Sequence, residues 1–159
     1  MSGYMKWADY MTVLRSRFPF ITVFNSRPTS SETNEYNCIA WAYGRNDAWF
    51  EPDPWRLYFW PISHREYYVD AYEELFSSIG YSLCTDASKE DGFLKIVLYV
   101  DKEGRPTHAA RQLPTGKWTS KLGEEYDIEH DSLEVLNGPA YGTAEIFMKR
   151  KTDSYGSEN

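Results

Sequence analysis

Cys38 is the side chain in this 159-residue sequence best placed to act as a nucleophile, within Asn37-Cys38-Ile39-Ala40-Trp41-Ala42. Thr33, Asn34 and Asn37 carry side-chain oxygens that can cap a helix starting near Tyr36, and Gly44 is a natural stop. That places Cys38 in the first turn, where unpaired backbone N–H groups and the helix dipole favour thiolate, the reactive form of cysteine. The competing reading is structural. Free cysteine is often a small buried hydrophobe, and Ile39, Ala40 and Trp41 could make this a short core helix.

A thiol nucleophile needs a base that also returns a proton to the leaving group, and histidine suits both tasks near neutral pH. His108 opens a strand of small residues, Thr107-His108-Ala109-Ala110-Arg111, and a sheet end of this kind can face a helix N-terminus. Its competing reading is a hydrogen-bonded strand histidine without catalytic duty. His64 falls in the first turn of a later helix, where the dipole disfavours a charged ring, so it reads as a surface or capping residue. To orient the imidazole, Asp127 lies 127 − 108 = 19 positions on, and a carboxylate there could accept the second ring N–H. Ser120 is a second candidate on the facing strand, although the turn at Pro114–Gly116 leaves the register open and a one-residue slip reverses its face. His130 is a third candidate, and a rival base. The Cys38 N–H with Asn34 or Asn37 could stabilise an oxyanion, and Trp41 and Trp118 are the expected aromatic contacts to substrate.

Other chemistries find little support. No closely spaced Cys/His pair suits zinc and no glycine-rich phosphate loop appears, so neither metal nor cofactor is expected. The formal charge of −7 opposes a phosphate-backbone binder, so nucleic acid is not an expected partner. No apolar run is long enough to span a membrane and the N-terminus lacks a secretory stretch, which reads as a cytoplasmic chain without membrane contact. Two cysteines, 84 − 38 = 46 positions apart, exclude a disulfide scaffold and are read as free thiols.

The elements that must position these residues follow from periodicity. Tyr4, Trp7, Tyr10, Met11 and Leu14 form a helical stripe over residues 4–18, ending before Pro19. Phe20–Phe24 reads as a short extended segment, and Arg27–Ser31 as a polar loop leading to Cys38. From Asp47 to Pro61 six large aromatics alternate with prolines, which forbids a long helix and suggests an aromatic loop able to wall a pocket. Ser63 can cap a helix to about Ser78, closed by Gly80. Strands follow at Leu94–Val100, Thr107–Leu113, Lys117–Leu122 and Ala144–Lys149. The expected architecture is α+β, with N-terminal helices packed on a C-terminal antiparallel sheet, in one globular domain over 1–151 and a disordered tail over 152–159.

Three stretches, Tyr36–Ala42, Thr107–Leu113 and Trp118–Gly123, together with Asp127-Ile128-Glu129-His130, resemble an uncharacterised, mainly bacterial family. More distantly, helix-borne Cys38 followed by strand-borne His108 is similar to NlpC/P60 and papain-like hydrolases, and the Cys, His, Asp order is similar to the transglutaminase-like branch. The resemblance implies a papain-like fold, Cys38 as nucleophile, His108 as base and Asp127 or Ser120 as orienting group. Asn37 and Ile39 depart from the acidic and small residues that flank the NlpC/P60 nucleophile. The implied activity is thiol-dependent hydrolysis or acyl transfer on a small-molecule or peptide amide or thioester. The alternative is a non-catalytic interaction domain, inhibitor or immunity-type in character, whose Trp49–Trp60 segment and acidic surface bind a protein partner.

Overall fold

A computed structural model describes residues 3–152, with side chains from Trp7 onward. Its spine is a seven-stranded antiparallel sheet. In chain order the elements are α1 (Gly3–Leu14), β1 (Ser26–Ser30), α2 (Cys38–Tyr43), α3 (Val69–Ser77), β2 (Ser82–Cys84), β3 (Phe93–Val100), β4 (Pro106–Gln112), β5 (Trp118–Lys121), β6 (Asp127–His130) and β7 (Thr143–Lys151), with a 3-10 turn at Leu133–Leu136 before β7. The strands lie in the order β1-β6-β5-β4-β3-β7-β2. The α+β expectation therefore stands in its coarse form, a few helices on an antiparallel sheet, although β1 precedes α2 in the chain.

Both faces of the sheet are covered, and β3 shows why. Side chains alternate across a strand, so Leu94, Ile96 and Leu98 enter one apolar cluster while Val97 and Tyr99 enter another. The first cluster takes α2, α3 and the aromatic loop. Leu75 and Phe76 of α3 are fully buried there, each worth about 1.5–3 kcal/mol. The second takes Trp7, Met11 and Leu14 of α1, at the spacings of four and three that put them on one helix face, together with the 3-10 turn.

Several sequence expectations shift. Phe20–Phe24 is a run of turns, and the strand begins instead at Ser26, pairing with β6 from Ser26↔His130. The helix expected from Ser63 begins at Val69. Residues 63–68 are held in irregular backbone, where Arg65 donates to the carbonyls of Asp53, Tyr58 and Trp60 and the Trp60 indole donates to the His64 carbonyl. His64 thus lies outside the helix, its ring between Glu66 and Glu74. Of the tail expected over 152–159, Thr152 is tied to the Gly92 carbonyl and the rest falls outside the described residues.

β4 and β5 are bonded only at Arg111↔Thr119 and Gln112↔Trp118. Beyond those pairs the two strands part: β4 stays with β3 down to Pro106, and β5 stays with β6 up to Lys121↔Asp127. The candidate site is built at this parting.

Candidate active site

Asn37 starts α2. Its side-chain oxygen accepts from Ala40 N at 3.2 Å and from Phe50 N at 3.1 Å, while its amide donates to Phe50 O at 2.7 Å. One buried asparagine therefore caps the helix and pins the aromatic loop to it. Gly44 closes the helix in the left-handed conformation, φ 106°, which spares it the Cβ strain another residue would meet. The helix is short, and Cys38 is its first residue.

Cys38 reaches the parted edge of β4. The backbone N–H groups of Ala109, Ile39 and Cys38 itself act on the sulfur and favour thiolate, but burial outweighs them and pushes the thiol up to about 11. This corrects the expectation from helix position alone: the first turn supplies the N–H groups, yet the crowded surroundings desolvate the sulfur more than they compensate it. At neutral pH Cys38 is a thiol. Cys84, the second free cysteine, lies away on β2 with its sulfur against Asp86 O.

A cleft of about 280 Å³ opens on Cys38. Its wall includes Trp49, Glu51, Tyr67, Tyr72 and Tyr141, with Thr107 and Gly123 at the β-sheet side. The aromatic loop does wall a pocket, but with its first residues only; Trp55 and Leu57 project into solvent, each 78% exposed. Trp41 and Trp118 do not line the cleft. The Trp41 indole donates to Thr119 Oγ1 at 2.9 Å beneath the Arg111 guanidinium, and Trp118 is buried in the cluster on the opposite face. Asn34 is exposed before the helix and also stands outside the cleft wall.

His108 precedes the Ala109 whose N–H meets the sulfur, and it is wholly buried. Its ring stacks on Tyr141 with centroids 4.1 Å apart, and Tyr141 in turn lines the cleft. Nε2 lies 2.9 Å from Ser120 Oγ, which lies 2.8 Å from His130 Nε2, and His130 Nδ1 lies 2.9 Å from the Ser132 carbonyl oxygen. That last contact fixes every proton. A carbonyl only accepts, so His130 carries its proton on Nδ1. Burial lowers His130 to about 4 and lowers His108 well below 6.5, so both rings are neutral at pH 7. His130 Nε2 is then an acceptor, Ser120 donates to it, and Ser120 Oγ accepts from His108 Nε2–H. His108 Nδ1 is left with a lone pair, buried and without a hydrogen-bond partner in this resting arrangement.

Asp127 lies elsewhere. Its Oδ2 accepts from Ser30 Oγ at 2.6 Å and from the Tyr36 hydroxyl, and its Oδ1 is buried without a partner. Along β6, Asp127 and His130 occupy positions of opposite parity, so alternation puts the carboxylate on the other face from the histidine ring. Among the sequence candidates Ser120 and His130 meet His108, and Asp127 does not. Sequence reasoning missed Lys121. Its ammonium is buried on the Asp127 side, donates to Thr33 O at 2.7 Å and to Gly123 O, and so ties the cleft rim to β5. Strand alternation in Trp118-Thr119-Ser120-Lys121 was the available signal, since it forces Lys121 inward on the face opposite Ser120.

Among the described residues no group of three His, Cys, Asp or Glu side chains is arranged to hold a metal ion, and no helix is long and apolar enough to cross a membrane. The chain belongs to the family described as a domain of unknown function, DUF7689, whose model matches residues 27–149. No curated protein and no solved structure matches it.

Proposed function

We propose that this member of the family is a thiol-dependent acyl hydrolase or acyltransferase of papain-like kind, with Cys38 as nucleophile, His108 as base and Ser120 with His130 as the orienting pair. The observation that supports it is the chain of hydrogen bonds from the Ser132 carbonyl to His108, which leaves a basic lone pair on Nδ1 of a ring stacked on Tyr141, a residue that lines the cleft with Cys38. Three hydrogen-bonded groups aligned to hold one imidazole in a single tautomer are what general-base catalysis requires.

The neutral pair sets the mechanism. In this reading the His108 ring turns toward the cleft past Tyr141 and takes the Sγ–H proton on Nδ1, which has no partner in the resting fold, as sulfur attacks the acyl carbon, so charge develops during attack and is not stored as a resting ion pair. The N–H groups that act on the Cys38 sulfur are the donors this reading assigns to the forming oxyanion. Collapse expels the amine or thiol with the proton from Nδ1 and leaves a thioester on Cys38. Water or an amine, deprotonated by the same nitrogen, releases the acyl group and restores the thiol.

The test is acyl trapping. Incubation with an activated thioester such as an acetyl thiophenyl ester is expected to add one acetyl group to Cys38 by mass spectrometry. His108→Ala is expected to slow acylation by about 10²–10⁴-fold, with a smaller loss in Ser120→Ala. Equal acylation of Cys38 and Cys84, unaffected by His108→Ala, would overturn the assignment. A second reading, a protein-interaction domain, is favoured by the exposed Trp55 and Leu57, since an apolar pair projecting from a loop is the form of a binding anchor. It gains if Cys38 is never acylated.

A further inference from the structure

Among the described residues Glu51 is the only acidic side chain of the cleft wall, and no lysine or arginine lines that wall. Its carboxylate is held at both ends by neutral donors: the Trp49 indole N–H to Oε1 at 3.2 Å and the Tyr67 hydroxyl to Oε2 at 2.6 Å. These contacts fix the carboxylate's direction and leave its charge uncancelled. The same loop supplies an internal contrast. Asp53, two residues on, serves the loop's own structure by accepting from Leu57 N and Tyr58 N, and there a cation is provided, Arg65, at 3.2 Å. Glu51 takes part in no ion pair among the described residues.

Around this charge the wall is aromatic, with Trp49, Tyr67 and Tyr72 lining the same cleft as Cys38. Ring faces attract cations and gain nothing from anions. An oriented, unpaired carboxylate flanked by rings therefore has the chemistry to recognise an ammonium or guanidinium group, and repels an acidic one. Since Cys38 lines the same cleft, the recognised cation belongs to the molecule whose acyl group meets the thiol.

We infer that the cleft selects acyl substrates bearing a positively charged group, an ammonium or guanidinium, seated between Trp49 and Tyr67 and paired with Glu51. The inference rests on the acyl-transfer reading for its chemistry, but the cation site is testable without it. The experiment uses the full chain with Cys38→Ala, which removes chemistry and keeps the cleft, titrated calorimetrically with N-acetyl-lysine amide, N-acetyl-arginine amide, the neutral N-acetyl-norleucine amide and N-acetyl-glutamate amide. The lysine and arginine probes are expected to bind about tenfold or more tighter than the norleucine probe, and the glutamate probe weakest, with the preference falling as salt rises. Glu51→Gln keeps the shape and the hydrogen-bonding oxygen and is expected to abolish the preference. Glu51→Lys is expected to turn it toward the glutamate probe, which keeps the test decisive if one variant folds poorly. A preference that survives Glu51→Gln, equal binding of lysine and norleucine probes, or no binding of any probe overturns the inference. Failure of acyl trapping alongside Glu51-dependent lysine binding would remove the acyl reading alone.

Discussion

Two buried polar clusters flank the parting of β4 and β5, and they meet the cost of burial in opposite ways. On the α2 side Lys121 and Asp127, neighbours across β5 and β6, bring a cation and a carboxylate into the interior with Tyr36 between them and the loop before α2. On the α1 side His108, Ser120 and His130 carry no charge at neutral pH and are joined by directed hydrogen bonds. The charged cluster holds elements together: Lys121 bonds Thr33 and Gly123, and Asp127 bonds Ser30 and Tyr36. The neutral cluster sets a proton pattern. Fixed charges suit the first task because they are long-ranged and hold several backbone groups at once. Neutral groups suit the second because a ring that must accept a proton has to be unprotonated beforehand.

The largest way to break this contrast is to remove one charge from the structural side. Lys121→Met removes the buried ammonium that faces Asp127 across β5 and β6, with its bonds to Thr33 O and Gly123 O, and is expected to cost about 1.5–3 kcal/mol for each of those charged hydrogen bonds in urea unfolding. Ser120→Ala on the neutral side leaves two ring nitrogens unpaired, at about 1–3 kcal/mol. Equal costs would show that the two clusters do not divide their roles in this way.

A smaller effect follows from acid. The unfolded chain protonates His130 near 6.5, whereas the folded chain resists until about 4. Between those values the unfolded state holds more protons, so stability is complete above pH 6.5 and falls as pH drops toward 4, by about 3 kcal/mol for this one ring. His108, lowered by burial and by His130, acts in the same direction. His130→Gln is expected to flatten this part of the stability profile in urea titrations at stepped pH, while Lys121→Met is expected to shift the profile down without flattening it. A profile that keeps its slope in His130→Gln would mean that other groups carry the acid response.

How far the sequence could be read differs between the same two regions. The strands that carry His108 and Ser120 were legible because alternation and turn residues mark them, and the turn closed by the Gly116 N–H on Leu113 O supplies the register that the residue types alone left open. The cap at Asn37 was legible too. Three things were not. β1 has no apolar alternation and contains Pro28, which an edge strand tolerates, and it is held by β6 and by Arg27 on Glu129 and Asp131. The position of Asp127 depends on where β6 begins, which spacing from His108 cannot reveal. The state of the Cys38 thiol depends on burial in the packed fold, which outweighs the N–H groups of Ala109, Ile39 and Cys38, so helix position pointed to thiolate and packing gives thiol.

The central claim is the proton pattern, that one backbone carbonyl holds His130 as the Nδ1–H tautomer and thereby leaves His108 with a free Nδ1. Long-range ¹H–¹⁵N correlation spectra of the imidazole nitrogens, recorded at pH 7 and assigned with His108→Ala and His130→Gln, measure it directly. The predicted result is a protonated Nε2 and a bare Nδ1 for His108, with the reverse for His130, and loss of the single His108 tautomer in Ser120→Ala. A proton on His108 Nδ1, or a doubly protonated His108 ring at neutral pH, would contradict the account.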